Sequence, residues 1–412
     1  MDQLMQGFPP SPENQVTLAN WRSFPHLRWA LHHLRELVPS ADIPNDPGDV
    51  QHLPGCPADF AGLRIEGGGE RLTLNEFLRR SDTDGIVVLH RGAVVLERYM
   101  NGMTARTPHI LMSVSKSILG LVAGILVEKG VLDAARPLTD ILPELAGTAY
   151  EGATVRHALD MRVGVAFEED YLATSGPMIA YRKATNWNPL APGEAPSDLR
   201  SFFRELRRSD GSHEGRFHYV SPNTDLLGWV MERATGRRYA DLLSELLWRP
   251  MGAMASAYIT VDRLGAPRAA GGICTTVRDL ALLGQYLVPG SARAGRRIVP
   301  AEWLEDILRN GAPAAWDEGT LAPFFPNLSM HYRAKWYVER HAAPVMFGFG
   351  VYGQYLFVAP EQEVVIAKVS SQALPFDSSQ IALMTRAAAA IRQWLAPLSK
   401  SDHHAGAVKE QT

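Results

Sequence analysis

The sequence predicts an α/β fold of the α+β type, with one sheet-and-helix domain assembled from both ends of the chain and an all-helical domain inserted between them. Three observations carry this expectation. Strand-like runs rich in β-branched residues stand towards both ends, at Ile86–Leu89 with Val94–Leu96 and at Gln354–Ala359 with Val364–Val369. Residues 134–250, between them, read mainly as helices and loops. The stretch from Ile118 to Val127 is apolar nearly all round, which marks a helix buried on every side.

Taken in order, residues 1–20 are polar and rich in proline and read as an extended arm. Trp29 to Val38 reads as an amphipathic helix stopped by Pro39. Residues 40–70 hold many prolines and glycines, including Gly67-Gly68-Gly69, and read as a long surface excursion. Arg91-Gly92 between two strand-like runs predicts a tight hairpin. The buried helix opens at Ser113 and closes at Gly130. A helix through Trp229 ends at Arg233-Ala234-Thr235-Gly236, with glycine where a left-handed cap is expected. A turn at Pro360-Glu361 joins the two late strands, and a last helix runs from about Ser379 to Leu395. The polar tail from Ser399 to Thr412 is expected to be disordered. The domain expectation is therefore an arm at 1–20, a discontinuous α/β domain at 21–133 and 251–398, a mainly helical domain at 134–250, and a tail at 399–412. There is no internal repeat.

Composition narrows the function classes. The chain has 412 residues, 46% of them apolar, enough for a sizeable core. Its formal net charge is -3 with acids and bases intermixed, which argues against nucleic acid or an anionic membrane as partner. The two cysteines, Cys56 and Cys274, lie far apart and read as free thiols. The opening residues Met1 to Gln6 lack the basic and apolar regions of a signal peptide, and no apolar run reaches the roughly twenty residues of a membrane span. The expectation is a cytoplasmic protein that handles a small molecule, with a homodimer left open.

Ser113-Val114-Ser115-Lys116 carries the most chemistry. Residues three apart share a helix face, so the Ser113 hydroxyl and the Lys116 amine point the same way, whereas Ser115 is turned about 200° from Ser113. A serine is a poor nucleophile until a base takes its proton, and a desolvated amine can do so. The alternative is an N-cap serine followed by a surface lysine, but a lysine at the head of a buried helix needs a partner or a task. The second candidate is Tyr219, in His218-Tyr219-Val220-Ser221-Pro222. Ser221-Pro222 reads as an N-cap and first helical residue. Tyr219 then stands before a helix N-terminus, where the dipole and Lys116 together are expected to lower its pKa and suit it to act as a base. The bland reading is a half-buried tyrosine with a satisfied hydroxyl. The third is Gly348-Phe349-Gly350-Val351-Tyr352-Gly353-Gln354, just before a strand, whose glycines leave backbone N–H groups approachable, as an oxyanion hole requires. A bulge or turn would use glycines equally.

These residues resemble the serine β-lactamase-like hydrolases and, within them, the 6-aminohexanoate-dimer (nylon-oligomer) hydrolases. The resemblance runs from about Trp21 to Trp394. It rests on Leu111-Met112-Ser113-Val114-Ser115-Lys116-Ser117, Glu169-Asp170-Tyr171, Gly215 to Ser221, Gly271-Gly272 with Thr276-Val277-Arg278-Asp279-Leu280, and Tyr352-Gly353-Gln354, where that family usually has His-Gly-Gln. It implies a β-lactamase/penicillin-binding-protein-like fold, an antiparallel sheet flanked by helices. It also implies an acyl-enzyme on Ser113, with Lys116 and Tyr219 moving the proton and no cofactor. The N–H groups of Ser113 and Val351, the latter in the Gly350–Val351 segment, would hold the oxyanion. Tyr171 would bond the substrate amide or leaving group, and Trp187 would line the cleft; Gly350 and Tyr352 would adjoin the substrate.

Two departures bear on specificity. Arg182 stands where that family's active members carry an acid for the substrate's free amine, in what the resemblance places as a loop over the cleft mouth. Ala269-Ala270 replace a polar lining residue. Gly348-Phe349-Gly350 stands where β-lactamases carry Lys-Thr-Gly, so penicillin turnover is not the expected activity. The expected function is hydrolysis of linear amides or carboxylic esters. The alternatives are a carboxylesterase with only trace amidase or β-lactamase activity, and a non-catalytic penicillin-binding-like sensor domain. His213 and His218 are five apart and miss the spacing of a helical zinc site, and Glu168-Glu169-Asp170 reads as a solvated acidic run, the alternative being one member facing the cleft near Tyr171.

Overall fold

Near-continuous runs of valine, isoleucine and leucine make the centre of the main sheet. The computed structural model describes residues 3–208, 211–291, 293, 295 and 297–398; the expected tail from Ser399 lies outside them. Strands β1 (Thr83–His90) and β2 (Ala93–Tyr99) are joined by Arg91 and Gly92, both at positive φ (52° and 80°). This is the two-residue turn whose twist matches that of paired strands. The other five strands come from the far end of the chain: β3 (Met330–Arg333), β4 (Trp336–Glu339), β5 (Val345–Gly350), β6 (Gln354–Ala359) and β7 (Val364–Ser370). The order is β2-β1-β7-β6-β5-β4-β3, antiparallel throughout, with Val88 opposite Ile366 and Val87 opposite Ala367.

Every residue of β1 is buried because helices cover both faces of the sheet. Successive side chains alternate between faces. Ile86, Val88, Val364 and Ile366 pack with Phe77 and with Ile381, Met384 and Ile391 of the last helix. Val87, Leu89, Val365 and Ala367 pack the other way, against Ile118 and Val122 of α1 (Val114–Glu128). Four further helices matter for the site: α2 (Pro177–Ala184), α3 (Pro222–Thr235), α4 (Val277–Gln285) and α5 (Ser378–Leu395). The expected ends of α1 at Gly130 and of α3 at Gly236 are found, both glycines being at positive φ. Among the described residues no helix is long and apolar enough to cross a membrane.

A second sheet delivers the chain to the head of α1. Its four strands run Ser40–Ile43, Ala257–Thr260, Ile273–Thr275 and His109–Ile110. The last leads directly into Leu111-Met112-Ser113, with the Leu111 N–H donating to the Ile273 carbonyl at 2.8 Å.

Three expectations about local structure are corrected. Trp29 to Val38 is not one helix: a single turn at Leu27–Ala30 and a 3₁₀ turn at Leu34–Glu36 take its place. His33 leaves helical geometry and its side chain bonds the Trp29 carbonyl at 2.8 Å, competing with the backbone ladder. The excursion at 40–70 contains the strand Ser40–Ile43 and a small hairpin, Ile65–Gly67 with Glu70–Leu72, closed by Gly67-Gly68-Gly69. The glycine segment at 348–353 does not simply precede a strand: Gly348 and Gly350 end β5, and the turn follows. The N-terminal residues fold back, with a turn at Pro12–Asn14, and bury Leu4 and Val16 in a cluster with Trp21, Met112, Trp187 and Val351.

α1 contains two glycines because neighbours approach it closely. An ideal Cβ on Gly120 would lie 2.0 Å from the Ala334 carbonyl oxygen, and one on Gly124 would lie 2.3 Å from the Trp303 ring. The Trp303 indole N–H donates to the Gly120 carbonyl at 2.9 Å. Helix propensity alone would make Gly120→Ala stabilising by about 1 kcal/mol. The clash with backbone outweighs this, and the expected net effect is a loss of about 2–3 kcal/mol. Urea unfolding of the variant beside the parent checks it; equal midpoints would refute the close-approach argument.

Candidate active site

The backbone turns sharply into α1. Met112 is held at φ 46°, a left-handed conformation uncommon for a residue with a Cβ, and Ser113 follows at the N-cap of the helix. Lys116, one turn on, is 1% exposed. Its amine donates to Ser113 Oγ at 2.7 Å and to the Ala270 carbonyl at 2.8 Å, and it stands 4.8 Å from the Tyr219 ring centre. Burial pushes the Lys116 amine down to about 7; Arg268 adds to this, while Glu169 and Asp225 resist it. At neutral pH a substantial fraction is therefore the free amine, able to accept a proton from Ser113.

Ala270 is held in place from behind. Its N–H donates to Asp225 Oδ1 at 2.7 Å, and Arg268 donates to the other oxygen of Asp225 at 2.5 Å. The Tyr181 hydroxyl of α2 also bonds Asp225. Asp225 and Arg268 are 0% and 7% exposed at their side chains, so this is a desolvated ion pair closed by a phenol. Ala270 therefore contributes a backbone carbonyl to Lys116.

Tyr219 is 7% exposed, and its phenol is pushed above its ordinary pKa by burial and by Glu169, against smaller opposing pulls from Ser113 and Tyr337. This corrects the expectation of a lowered pKa: the helix-end field is outweighed by desolvation, and Tyr219 stays protonated. Ser221 does not cap α3 with its side chain either. Its N–H and hydroxyl are both given to Glu169, the N–H at 2.5 Å. Glu169 also accepts from the Tyr171 hydroxyl at 2.7 Å, so it is no solvated member of an acidic run.

The end of β5 meets the head of α1. An ideal Cβ at Gly350 would lie 2.7 Å from the Leu111 carbonyl oxygen and 2.9 Å from Ser113 N, so only glycine fits this approach. Ser113 and Val351 both line the same cleft, and among the described residues no acceptor takes the N–H of either. Unpaired backbone amides at two residues of one cleft are the kind of donor that holds an oxyanion.

That cleft encloses about 480 Å³. Ser113, Tyr171 and Tyr219 form its polar floor; Phe324, Tyr337, Phe349 and Phe376 form much of its wall; Glu168, Asp170 and Arg216 stand at its rim. Of the expected substrate-binding residues, Tyr171 lines it, while Arg182, Trp187, Gly350 and Tyr352 do not. Arg182 lies in helix α2 rather than a loop, and its guanidinium is turned to the carbonyls of Tyr171, at 2.8 Å, and Ala173. Trp187 packs edge-on against Trp21 and donates to Thr260 Oγ1, behind the cleft. Tyr352 forms the β5–β6 turn at φ 63°, its hydroxyl directed to the Arg22 carbonyl. Sequence reasoning missed Asp225 and Arg268, which are 43 residues apart, and Tyr337; it placed one member of Glu168-Glu169-Asp170 near Tyr171 without singling out Glu169, which bonds both Tyr171 and, 52 residues on, Ser221. The two histidines of the zinc-like pattern separate: His213 bonds Gly164 N and the Glu151 carbonyl, whereas His218 lines the cleft. Among the described residues no group of three or more His, Cys, Asp or Glu is placed to hold a metal ion.

A Beta-lactamase family model matches residues 74–391. The chain is 35% identical to a 6-aminohexanoate-dimer hydrolase of Paenarthrobacter ureafaciens over 365 residues, covering 88% of this chain and 90% of that protein. A solved Bacillus anthracis structure, put forward as a 6-aminohexanoate-dimer hydrolase, superposes with a TM-score of 0.85 at 27% identity, covering 94% of this chain and 99% of that one. EstCE1, a hydrolase with promiscuous acyltransferase activity, shares the fold at 16% identity and a TM-score of 0.58, over 78% of this chain and 98% of its own.

The buried pair beneath Lys116 makes a prediction of its own. Asp225→Asn leaves Arg268 charged and unpaired in the interior, so stability should fall by about 3–5 kcal/mol. Urea unfolding of the two proteins checks this, and a loss below 1 kcal/mol would show that Arg268 finds another partner.

Proposed function

The chain belongs to the Beta-lactamase family, and from that premise we propose that it hydrolyses linear amides and carboxylic esters, the 6-aminohexanoate dimer among them, through an acyl-enzyme on Ser113. The observation that supports this most is a fully buried lysine amine, pushed down to about 7, at 2.7 Å from the hydroxyl of a serine, in a cleft with unpaired backbone amides at two residues.

The steps follow from the groups present. The free amine of Lys116 takes the Ser113 proton as Oγ attacks the substrate carbonyl. The N–H groups of Ser113 and Val351 stabilise the resulting oxyanion. Tyr219, protonated, gives its proton to the departing nitrogen or oxygen and is refilled from the Lys116 ammonium. Water then attacks the acyl-enzyme, and its proton travels the same route back to Ser113 Oγ. Tyr171 has its proton committed to Glu169, so its oxygen is free to accept from a substrate amide N–H. The aromatic wall suits an alkyl chain, and at the rim Glu168 and Asp170 outnumber Arg216, which favours a free amine at the end of that chain. With Arg182 turned away into the Tyr171 loop, the repulsion of amine-bearing substrates expected from its position is not built into the cleft.

Ser113→Ala should lower hydrolysis of both 6-aminohexanoate dimer and p-nitrophenyl butyrate by at least about a hundredfold with an unchanged circular dichroism spectrum. Activity above that level would remove Ser113 from the reaction, and stable acylation without turnover in the parent would point to a binding domain instead. The pH profile gives a separate test. Only the free amine of Lys116 accepts the Ser113 proton, so kcat/KM should rise through a pKa near 7 and fall away below it. Glu169 raises the Lys116 pKa, so Glu169→Gln should move this acid limb to lower pH. A limb that stays in place, or moves up, would mean that another group sets it.

A further inference from the structure

Tyr352-Gly353-Gln354 carries the chain from β5 into β6, and Gln354 has no part in the steps above. Its side chain is fully buried at the start of β6. The ladder between β6 and β7 ends at Tyr355 opposite Lys368. Beyond it the side-chain amide of Gln354 takes the place of backbone. Its Oε1 accepts the Ser370 N–H at 3.1 Å, and its Nε2 donates to the Ser370 carbonyl at 2.8 Å. The same Nε2 donates to the Val351 carbonyl at 3.2 Å. Two of the three partners are carbonyls and the third is an N–H, so the amide has one orientation that satisfies them all.

The Val351 carbonyl belongs to the peptide group that joins Val351 to Tyr352. The other end of that group is pinned as well, the Tyr352 N–H donating to the Pro375 carbonyl at 3.0 Å. The next carbonyl, that of Tyr352, accepts the Gln372 N–H at 3.2 Å. Gly350, on the other side of Val351, is paired with Gln354 in the sheet. Val351 therefore stands between a fixed strand end and a pinned peptide group, which leaves its own N–H little freedom of direction. The turn needs such restraint. Tyr352 is at φ 63°, unfavourable for a residue with a Cβ, and a strained turn relaxes when its ties are cut. Val351 lines the cleft with Ser113, and among the described residues no acceptor takes its N–H.

We propose that Gln354 is a positioning residue for the oxyanion hole, acting through the Val351 carbonyl to set the direction of the Val351 N–H. The inference rests on the hydrolase reading of the Ser113 site and on the share given there to Val351. Gln354 itself does not touch the substrate. A donor fixed in advance stabilises the oxyanion without reorganising as the charge forms, whereas a donor free to swing must be turned at that moment. Gln354 therefore acts on the transition state and not on binding of the ground state.

The test pairs p-nitrophenyl hexanoate with 1,1,1-trifluoroheptan-2-one, an inhibitor with the same alkyl chain. Ser113 Oγ adds to the ketone carbon, its proton passes to the Lys116 amine, and the carbonyl π pair becomes an oxyanion with no leaving group. In Gln354→Met, a side chain of similar length without an amide, kcat should fall about tenfold with KM within about twofold of the parent. That is less than the roughly hundredfold loss that follows removal of an oxyanion donor outright. Ki of the ketone should rise by about the same tenfold. Leu356→Ala opens a cavity further along the same strand, away from the turn, and should leave the ratio of Ki to KM where it was. Gln354→Asn keeps an amide but draws it back by one methylene; it should repeat the pattern, and it carries the test if Gln354→Met does not fold. A kcat within twofold of the parent overturns the inference, as does a fall in kcat that leaves Ki unmoved. A KM that rises as much as Ki, or an equal change of the ratio in Leu356→Ala, overturns it too, since either would mean general loosening. Failure of the hydrolase reading itself is distinguishable: there Ser113→Ala keeps its activity, whatever Gln354 does.

Discussion

The site depends on keeping one amine dry. A lysine in water holds its proton far too tightly to serve as a base at neutral pH, and only desolvation brings it down to about 7. That requirement dictates the surroundings. The amine must be enclosed, yet both acceptors it bonds must be neutral oxygens, since a carboxylate in contact would restore the proton. Ser113 Oγ and the Ala270 carbonyl meet this condition. The carboxylates of Glu169 and Asp225 stay one layer further out and are occupied with other donors: Glu169 with Ser221 and Tyr171, Asp225 with Arg268, Tyr181 and Ala270. Each anion is thereby committed elsewhere, and its pull on Lys116 is felt only across space.

Enclosing the amine calls for a fold in which α1 is buried on all sides, and this explains the two-ended construction. One sheet face, α3, the second sheet and the β3–β4 turn all close around α1. The glycines at 120 and 350 let backbone come closer than any side chain would permit, and at Gly350 the same close approach brings β5 up to the Ser113 amide. The folded N-terminal residues extend the support: Trp21 donates to the Trp187 carbonyl at 3.1 Å, and their cluster includes Met112 and Val351. These residues precede the segment matched by the family model, which begins at residue 74. They pack behind Met112, the residue before Ser113, and behind Val351.

How much of this the sequence reveals follows from the range of each interaction. The pairing of Ser113 with Lys116 is legible because it is one helical turn long, and the Arg91-Gly92 hairpin and the glycine stops at 130 and 236 are legible because each is a local backbone demand. The strands β3 and β4 escape notice because they are four residues each and their aromatic residues divide between the two faces, Trp336 on one and Tyr332 and Tyr337 on the other. Glu169 is half legible: its bond to Tyr171 spans two residues, but its partner Ser221 is 52 residues away, and an acidic triplet read alone looks solvated. Arg268 and Asp225 are 43 apart and meet only when α3 and the second sheet are assembled. The direction of Arg182 depends on which way α2 rolls, and that is set by Met178, Tyr181 and Ala184 seeking the core.

Tyr219 shows why a local argument about charge can have its sign reversed by packing. A helix N-terminus is worth a fraction of a kcal/mol to a nearby anion at an exposed site. Removing a phenolate from water is far more unfavourable, and Glu169 adds repulsion. Desolvation acts on the lysine and the tyrosine in opposite senses because one is charged when protonated and the other when deprotonated. The same dry environment that frees the amine therefore keeps the phenol intact. The two groups end up as a base that is ready and an acid that is ready, side by side, without either needing the other's charge. That pairing suits amide cleavage in particular, since an amine departs only once a proton reaches it, while an activated ester can dispense with the acid.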